Sequence, residues 1–191
     1  MNHNISLVGF SYRLRPVTVH DASLIFNLRT DERRGRFLNP IRGDVFSQVR
    51  WLEDYLERPD DYYFVIENSL DGRAEGLISI YDIRQSVGEW GRWIVETGSS
   101  CAIESAMLIY RIAFTELALD SVYCRTLIDN ERVVSFHDSC GLTRRRQLDD
   151  YVNINGQSHS AMEHELSREN WVVIDKRLSS LASRMAIMNR N

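Results

Sequence analysis

Residues 90–142 read WGRWIVETGSSCAIESAMLIYRIAFTELALDSVYCRTLIDNERVVSFHDSCGL, and the period of their apolar positions changes along the way. Glu89 to Val95 is rich in β-branched and aromatic residues, the composition of a strand. Thr97 to Ala102 is small and polar, the composition of a loop. From Ile103 the period becomes helical: Ile103, Ala106, Met107, Tyr110, Ala113, Phe114 and Leu117 form one apolar stripe. Ser121 to Ile128 is strand-like again. Asn130 then opens a short helix, which Gly141 ends.

The join between the first strand and the long helix is where chemistry can begin. Unpaired N–H groups and the helix dipole favour an anion at a helix N-terminus. The small residues Gly98, Ser99, Ser100, Cys101 and Ala102 let a phosphate approach the backbone closely. A diphosphate fits this physics. An ordinary strand-to-helix turn fits the spacing equally well.

Working outward, Tyr12 to Val17 alternates as a first strand, and Asp21 stands where it would cap a short helix carrying Leu24, Ile25 and Leu28. Asp44 opens a second helix with Val45, Val49, Leu52 and Leu56 on one face, ended by Pro59. Tyr62–Glu67 and Glu75–Ile83 form a hairpin around Asp71-Gly72. Beyond Gly141, Arg144–Gln147 reads as a strand. Asp149–Ile154 and Ser158–Leu166 make a hairpin on Asn155-Gly156, and Ser167 caps a last helix running to about Ile187. The order predicts an α/β fold with one mixed sheet, in a single domain over residues 1–191.

Composition excludes several classes. The formal net charge of −4 argues against nucleic acid as a partner. No apolar run reaches the roughly 18 residues of a membrane helix, and residues 1–10 do not read as a signal peptide. Cys101, Cys124 and Cys140 form no metal pattern or disulfide framework, so no metal is expected and a cytoplasmic setting is. Lys176 is the only lysine among 23 basic residues, which lowers the functional weight of any arginine cluster.

The run Asn130-Glu131-Arg132-Val133-Val134-Ser135-Phe136-His137-Asp138-Ser139-Cys140-Gly141, together with the order of elements, resembles the GNAT acetyltransferase superfamily. Gly91-Arg92-Trp93-Ile94 and the opening Tyr12-Arg13-Leu14-Arg15-Pro16 resemble the branch that acetylates ribosomal-protein N-termini and related small amines. The resemblance spans roughly Tyr12 to Trp171. It implies a sheet of about seven strands, mostly antiparallel, with two parallel central strands, Glu89–Val95 and Ser121–Ile128, splayed to admit the pantetheine arm of acetyl-CoA. In such proteins the pyrophosphate lies on an Arg-Gly-x-Gly-x-Ala loop. Here that loop is Thr97-Gly98-Ser99-Ser100-Cys101-Ala102, with Thr97 and Ser100 in place of the Arg and the second Gly. The same resemblance implies that a backbone N–H near Ile94 or Val95 polarises the thioester carbonyl and that Asn130 both caps its helix and faces the cofactor.

For acid and base, the position that often holds a thiolate-protonating tyrosine is His137, and an imidazole of ordinary pKa, about 6.5, would serve. Val133 and Val134 lie on its helical face and point it inward; a packed core histidine is the alternative. Glu89 is the candidate base, with Glu96 and Glu104 behind it. Arg29, Arg33, Arg34 and Arg36 lie in the loop that lines the acceptor side in such proteins, and Trp90 is a flat surface for a ring. Arg144, Arg145 and Arg146 read as surface charge. The expected activity is acetyl-CoA-dependent N-acetylation of a small amine, by a monomer or homodimer. A nucleotide-linked amino sugar leads as acceptor. A protein N-terminus, an aminoglycoside or a non-catalytic acyl-CoA-binding role stands behind it.

Overall fold

A computed structural model describes residues 3–189. Its strands are β1 (Leu7–Val8), β2 (Tyr12–Pro16), β3 (Tyr62–Asn68), β4 (Ala74–Arg84), β5 (Val87–Val95), β6 (Ser121–Leu127), β7 (Thr143–Ile154) and β8 (Gln157–Ser167). The helices are α1 (Ala22–Thr30), α2 (Val45–Tyr55), α3 (Ala102–Arg111), α4 (Glu131–Cys140) and α5 (Arg168–Met188). One open sheet has the order β1-β2-β3-β4-β5-β6-β8-β7. Every neighbouring pair is antiparallel except β5 and β6.

The sheet is the middle of three layers, and β3 shows why. Tyr63 and Val65 pack with Ile25, Leu28 and Leu52 of α1 and α2. Phe64 and Ile66, pointing the other way, pack with Met107, Tyr110 and Leu178 of α3 and α5. All four strand residues are at most 1% exposed. Fully burying such a side chain contributes about 1.5–3 kcal/mol, so a strand apolar on both faces holds both layers.

β5 and β6 pair only over Val87–Glu89 against Ser121–Tyr123. Beyond those residues the strands diverge, as the resemblance implied. β5 also bulges. Its register against β4 shifts between Ser79↔Gly91 and Leu77↔Ile94, with Arg92 at φ +49°. The extra residue flips the side-chain alternation, so Trp90, Trp93 and Val95 all pack on the α3 side while Ile94 packs on the α1–α2 side.

Several readings need correction. The sheet, expected at about seven strands, has eight, with Leu7–Val8 an edge strand not read from the sequence and paired to Arg13–Leu14. Arg144–Gln147 and Asp149–Ile154 are one strand, β7, whose register shifts are absorbed by bulges and by Asp150 at φ +50°. The stripe to Leu117 is an α-helix to Arg111 and then a π-helical turn, Ile112–Glu116. Asp44 caps α2 by accepting the Ser47 N–H at 2.8 Å. Asp21 does not cap α1: its carboxylate instead takes the Arg15 fork at 2.8 and 2.9 Å and the Thr18 N–H at 2.8 Å.

Candidate active site

Where β5 and β6 part, the gap forms a cavity of about 90 Å³. Trp90 and Trp93 line it from β5, Asn130 and His137 from α4, and Arg34 from the loop after α1. Asn130 is at the N-cap position of α4, but its side chain makes no capping bond and lines the cavity instead.

The loop Thr97–Ala102 leads from β5 into α3. Gly98 has φ +84°, a left-handed turn that only glycine adopts without strain. Cys101, at the N-cap position of α3, provides no side-chain cap. The first helical N–H groups therefore have no partner within the helix. The hydroxyls are already engaged. Ser99 donates to Glu75 and accepts from the Cys101 N–H at 3.1 Å, while Ser100 bonds Tyr12 at 3.1 Å and accepts from Asn189 at 2.6 Å. Cys101 is fully buried, its N–H held by Ser99 and its carbonyl by the Ser105 N–H at 2.8 Å, so it presents nothing to a ligand. Glu104 is removed as a base: one oxygen of its buried carboxylate accepts the N–H groups of Phe10, Ser11 and Tyr12.

The Glu96 N–H donates to the Glu75 carbonyl of β4 at 2.8 Å. Successive amides of a strand face opposite edges, so the Val95 N–H faces away from β4 and into the gap, while that of Ile94 faces β4. The gap, the turn at Gly98 and the uncapped helix start together fit a thioester carrying a diphosphate.

His137 is 1% exposed and points inward. Its ring meets Trp90 edge-on at 5.3 Å and lies 5.2 Å from the ring of His164. Its Nδ1 has no hydrogen-bond partner. Burial pushes the imidazole down to about 3, the nearby His164 adds to the shift, and Asp138 only partly opposes it. The ordinary pKa read from the sequence is thus corrected: at neutral pH the ring is uncharged, with one donor and one acceptor nitrogen. The His164 Nε2 is 3.1 Å from Asp138, which Arg144 holds from the other side.

Glu89 lies on the opposite face of β5 and is 6% exposed. Tyr81 donates to its Oε1 at 3.2 Å and Arg125 to its Oε2 at 2.9 Å. Burial raises its pKa above the usual carboxylate value, and Arg125 and Tyr81 hold back part of that rise. Arg125 also donates to the buried Glu163 at 2.9 Å. Arg92 forks onto Asp61 at 2.6 and 2.9 Å and stacks over Tyr81 at 4.4 Å.

The arginines near the α1 end do not converge. Arg34 pairs with Asp31 and Glu96 beside the cavity. Arg33 and Arg36 are exposed, the latter over Phe37. Arg29 lines a different cavity, between α1 and α2. Trp90 is 2% exposed and packs against Tyr110 and Trp93, so its ring belongs to the core on the helix side. Arg144 and Arg146 pair with Asp138 and Glu163.

Tyr81 and Arg125 were not singled out in the sequence. An unbulged hairpin closing at Arg84↔Val87 would pair Tyr81 with Trp90. A bulge at Asp82, φ +49°, pairs it with Glu89, and no residue type announces that bulge. Among the described residues, no group of three or more His, Cys, Asp or Glu is placed to hold a metal, and no helix is long and apolar enough to cross a membrane.

The site is thus an open sheet with one parallel, splayed strand pair and a helix start at its mouth. Residues 12–143 match the model of the acetyltransferase (GNAT) domain, and the chain belongs to that family, whose members are N-acetyltransferases using acetyl-CoA. It is 24% identical over 167 residues to the SPbeta prophage-derived uncharacterized N-acetyltransferase YokL of Bacillus subtilis, covering 85% of this chain and 93% of that one. Its fold is similar to that of apo FdhC, described as a nucleotide-linked sugar GNAT, with a TM-score of 0.77, 24% identity, and 95% and 98% of the two chains covered. It is also similar to a variant of the SpeG spermidine N-acetyltransferase of Vibrio cholerae, with a TM-score of 0.75, 18% identity, and 85% and 96% covered.

Proposed function

We propose that this N-acetyltransferase acts on the amine of a nucleotide-linked amino sugar, with Glu89 as base and His137 on the side of the leaving sulfur. The observation that carries the reading is Glu89: a buried carboxylate of raised pKa, beside the point where β5 and β6 part and on the sheet face opposite His137. A base with a pKa raised toward the working pH accepts a proton more effectively than an ordinary glutamate.

The thioester, when bound, supplies an activated acetyl carbonyl and a thiol leaving group. Glu89 takes the ammonium proton and leaves a neutral nucleophile. The Val95 N–H donates to the oxygen on which negative charge develops. The neutral ring of His137 would present an N–H as a hydrogen-bond donor to the departing sulfur, and the thiolate would take up the second proton released by the attacking nitrogen. The backbone of Gly98 to Ala102 holds the diphosphate.

The acceptor assignment is supported by the guanidinium groups that line the cavity between β5 and β6, Arg34, Arg92 and Arg125, which can exchange their carboxylate partners for a phosphate. A panel of amines assayed for free thiol release tests it. Nucleotide 3-, 4- and 6-amino sugars should turn over in preference to ribosomal-protein N-terminal peptides, spermidine and aminoglycosides. Preference for a peptide or a polycation would sink the assignment.

A further inference from the structure

The second cavity, about 380 Å³ between α1 and α2, holds an unbalanced charge. The Arg29 guanidinium donates to the Asn39 carbonyl, and its Nε is buried with no partner. Among the described residues no carboxylate pairs with it. Arg15, Arg92, Arg111 and Arg125 are all partly buried too, and each bonds an acid. Burial holds Arg29 below the ordinary arginine value.

Beside it stands Tyr63, 1% exposed and lining the same cavity; its hydroxyl lies next to the Arg29 guanidinium, off the geometry of a normal hydrogen bond, and has no other partner among the described residues. Trp51, stacked on Tyr55 at 5.4 Å, forms a third wall. Asp44 also lines the cavity, but the oxygen Oδ1 is taken by the N–H and hydroxyl of Ser47. A partly buried cation without a counter-charge and a buried hydroxyl poorly satisfied by it each cost stability, and one anionic oxygen placed between them offsets both costs.

We propose that this cavity is an anion subsite, in which Arg29 and Tyr63 bind a phosphate or carboxylate and the edge of Trp51, whose ring is stacked on Tyr55 with Arg58 over it, walls the molecule that carries it. The anion is either part of the acceptor or a separate small molecule. The inference goes beyond the acceptor assignment, because binding is read without turnover.

The test uses the full chain with coenzyme A at saturation, so that the cofactor loop is filled. Inorganic phosphate and uridine monophosphate are titrated while Tm is followed. At tenfold its Kd, either probe should raise Tm by about 3–6 °C. Arg29→Met should lose that rise and, with no anion present, melt above the wild type, since a buried unpaired charge is gone. Tyr63→Phe keeps the ring and should lose part of the rise. Uridine monophosphate competing with a nucleotide amino sugar in turnover assigns the anion to the acceptor; binding without competition assigns it to a separate ligand. An absent rise in the wild type, or an equal rise in wild type and Arg29→Met, overturns the proposal.

Discussion

On one face of β5, His137 sits among Trp90, Trp93, Phe136 and a second histidine. On the other, Glu89 sits among Tyr81, Arg125 and, across Arg125, Glu163. Both groups are nearly inaccessible, and burial drives both toward the neutral form. They differ in their neighbours. Glu89 touches a cation and so can carry charge for part of a cycle. His137 touches rings and cannot. The burial is similar on the two faces; counter-charge decides which face can hold an ion.

The largest test of this contrast is Glu89→Gln. It should lower kcat by about 10²–10⁴-fold while the rise in Tm with acetyl-CoA persists; near-normal turnover would break the comparison. His137→Phe probes the uncharged face through stability. The folded pKa, about 3, is below the unfolded value of 6.5. Between these pH values the unfolded chain binds the extra proton, so stability falls as pH drops below 6.5. Denaturant midpoints at pH 7 and pH 4 should show a wild-type loss of which about 3 kcal/mol disappears in His137→Phe. An unchanged pH slope would mean that the ring carries charge.

Gly98→Asp should abolish the stabilisation by acetyl-CoA, which at a hundredfold its Kd is about 2.7 kcal/mol, in a thermal-shift titration. A retained shift would place the diphosphate elsewhere. The finest probe is Tyr81→Phe. The lost hydroxyl had stabilised the charged carboxylate, so the Glu89 pKa rises further and the acid limb of kcat/KM moves to higher pH. Arg125→Gln should move it the same way and further. A limb that stays in place in both variants would separate it from Glu89.

The fold was legible wherever local chemistry and tertiary structure agree. Asn130 and Gly141 bound α4, Asn155-Gly156 turns with both φ positive, and the stripe from Ile103 faces the core. The site was legible in part. Its residues were named, but their geometry turns on Asp82 and Arg92, non-glycine residues with φ +49° that long-range pairing imposes. The arginine run misled for a related reason. At Gly35 a Cβ would lie 2.1 Å from the Arg29 carbonyl oxygen. The chain folds back tightly there and sends neighbours in sequence in different directions. Arg29, whose lack of a carboxylate partner gives it most interest, is visible as such only once the chain is folded.

The three amides that converge on Glu104 affect how the amino end is handled in experiments. Residues 10–12 act as a clamp on a negative charge one turn into α3, close to where the diphosphate is expected to dock. Trimming the chain to Arg13 would remove no wall of the cleft between β5 and β6, yet it would release that carboxylate next to an incoming polyanion. A shortened protein that no longer retains acetyl-CoA would then combine repulsion by its own Glu104 with the loss of the Tyr12 bond to Ser100, and Glu104→Gln in the same shortened chain should restore the part due to repulsion.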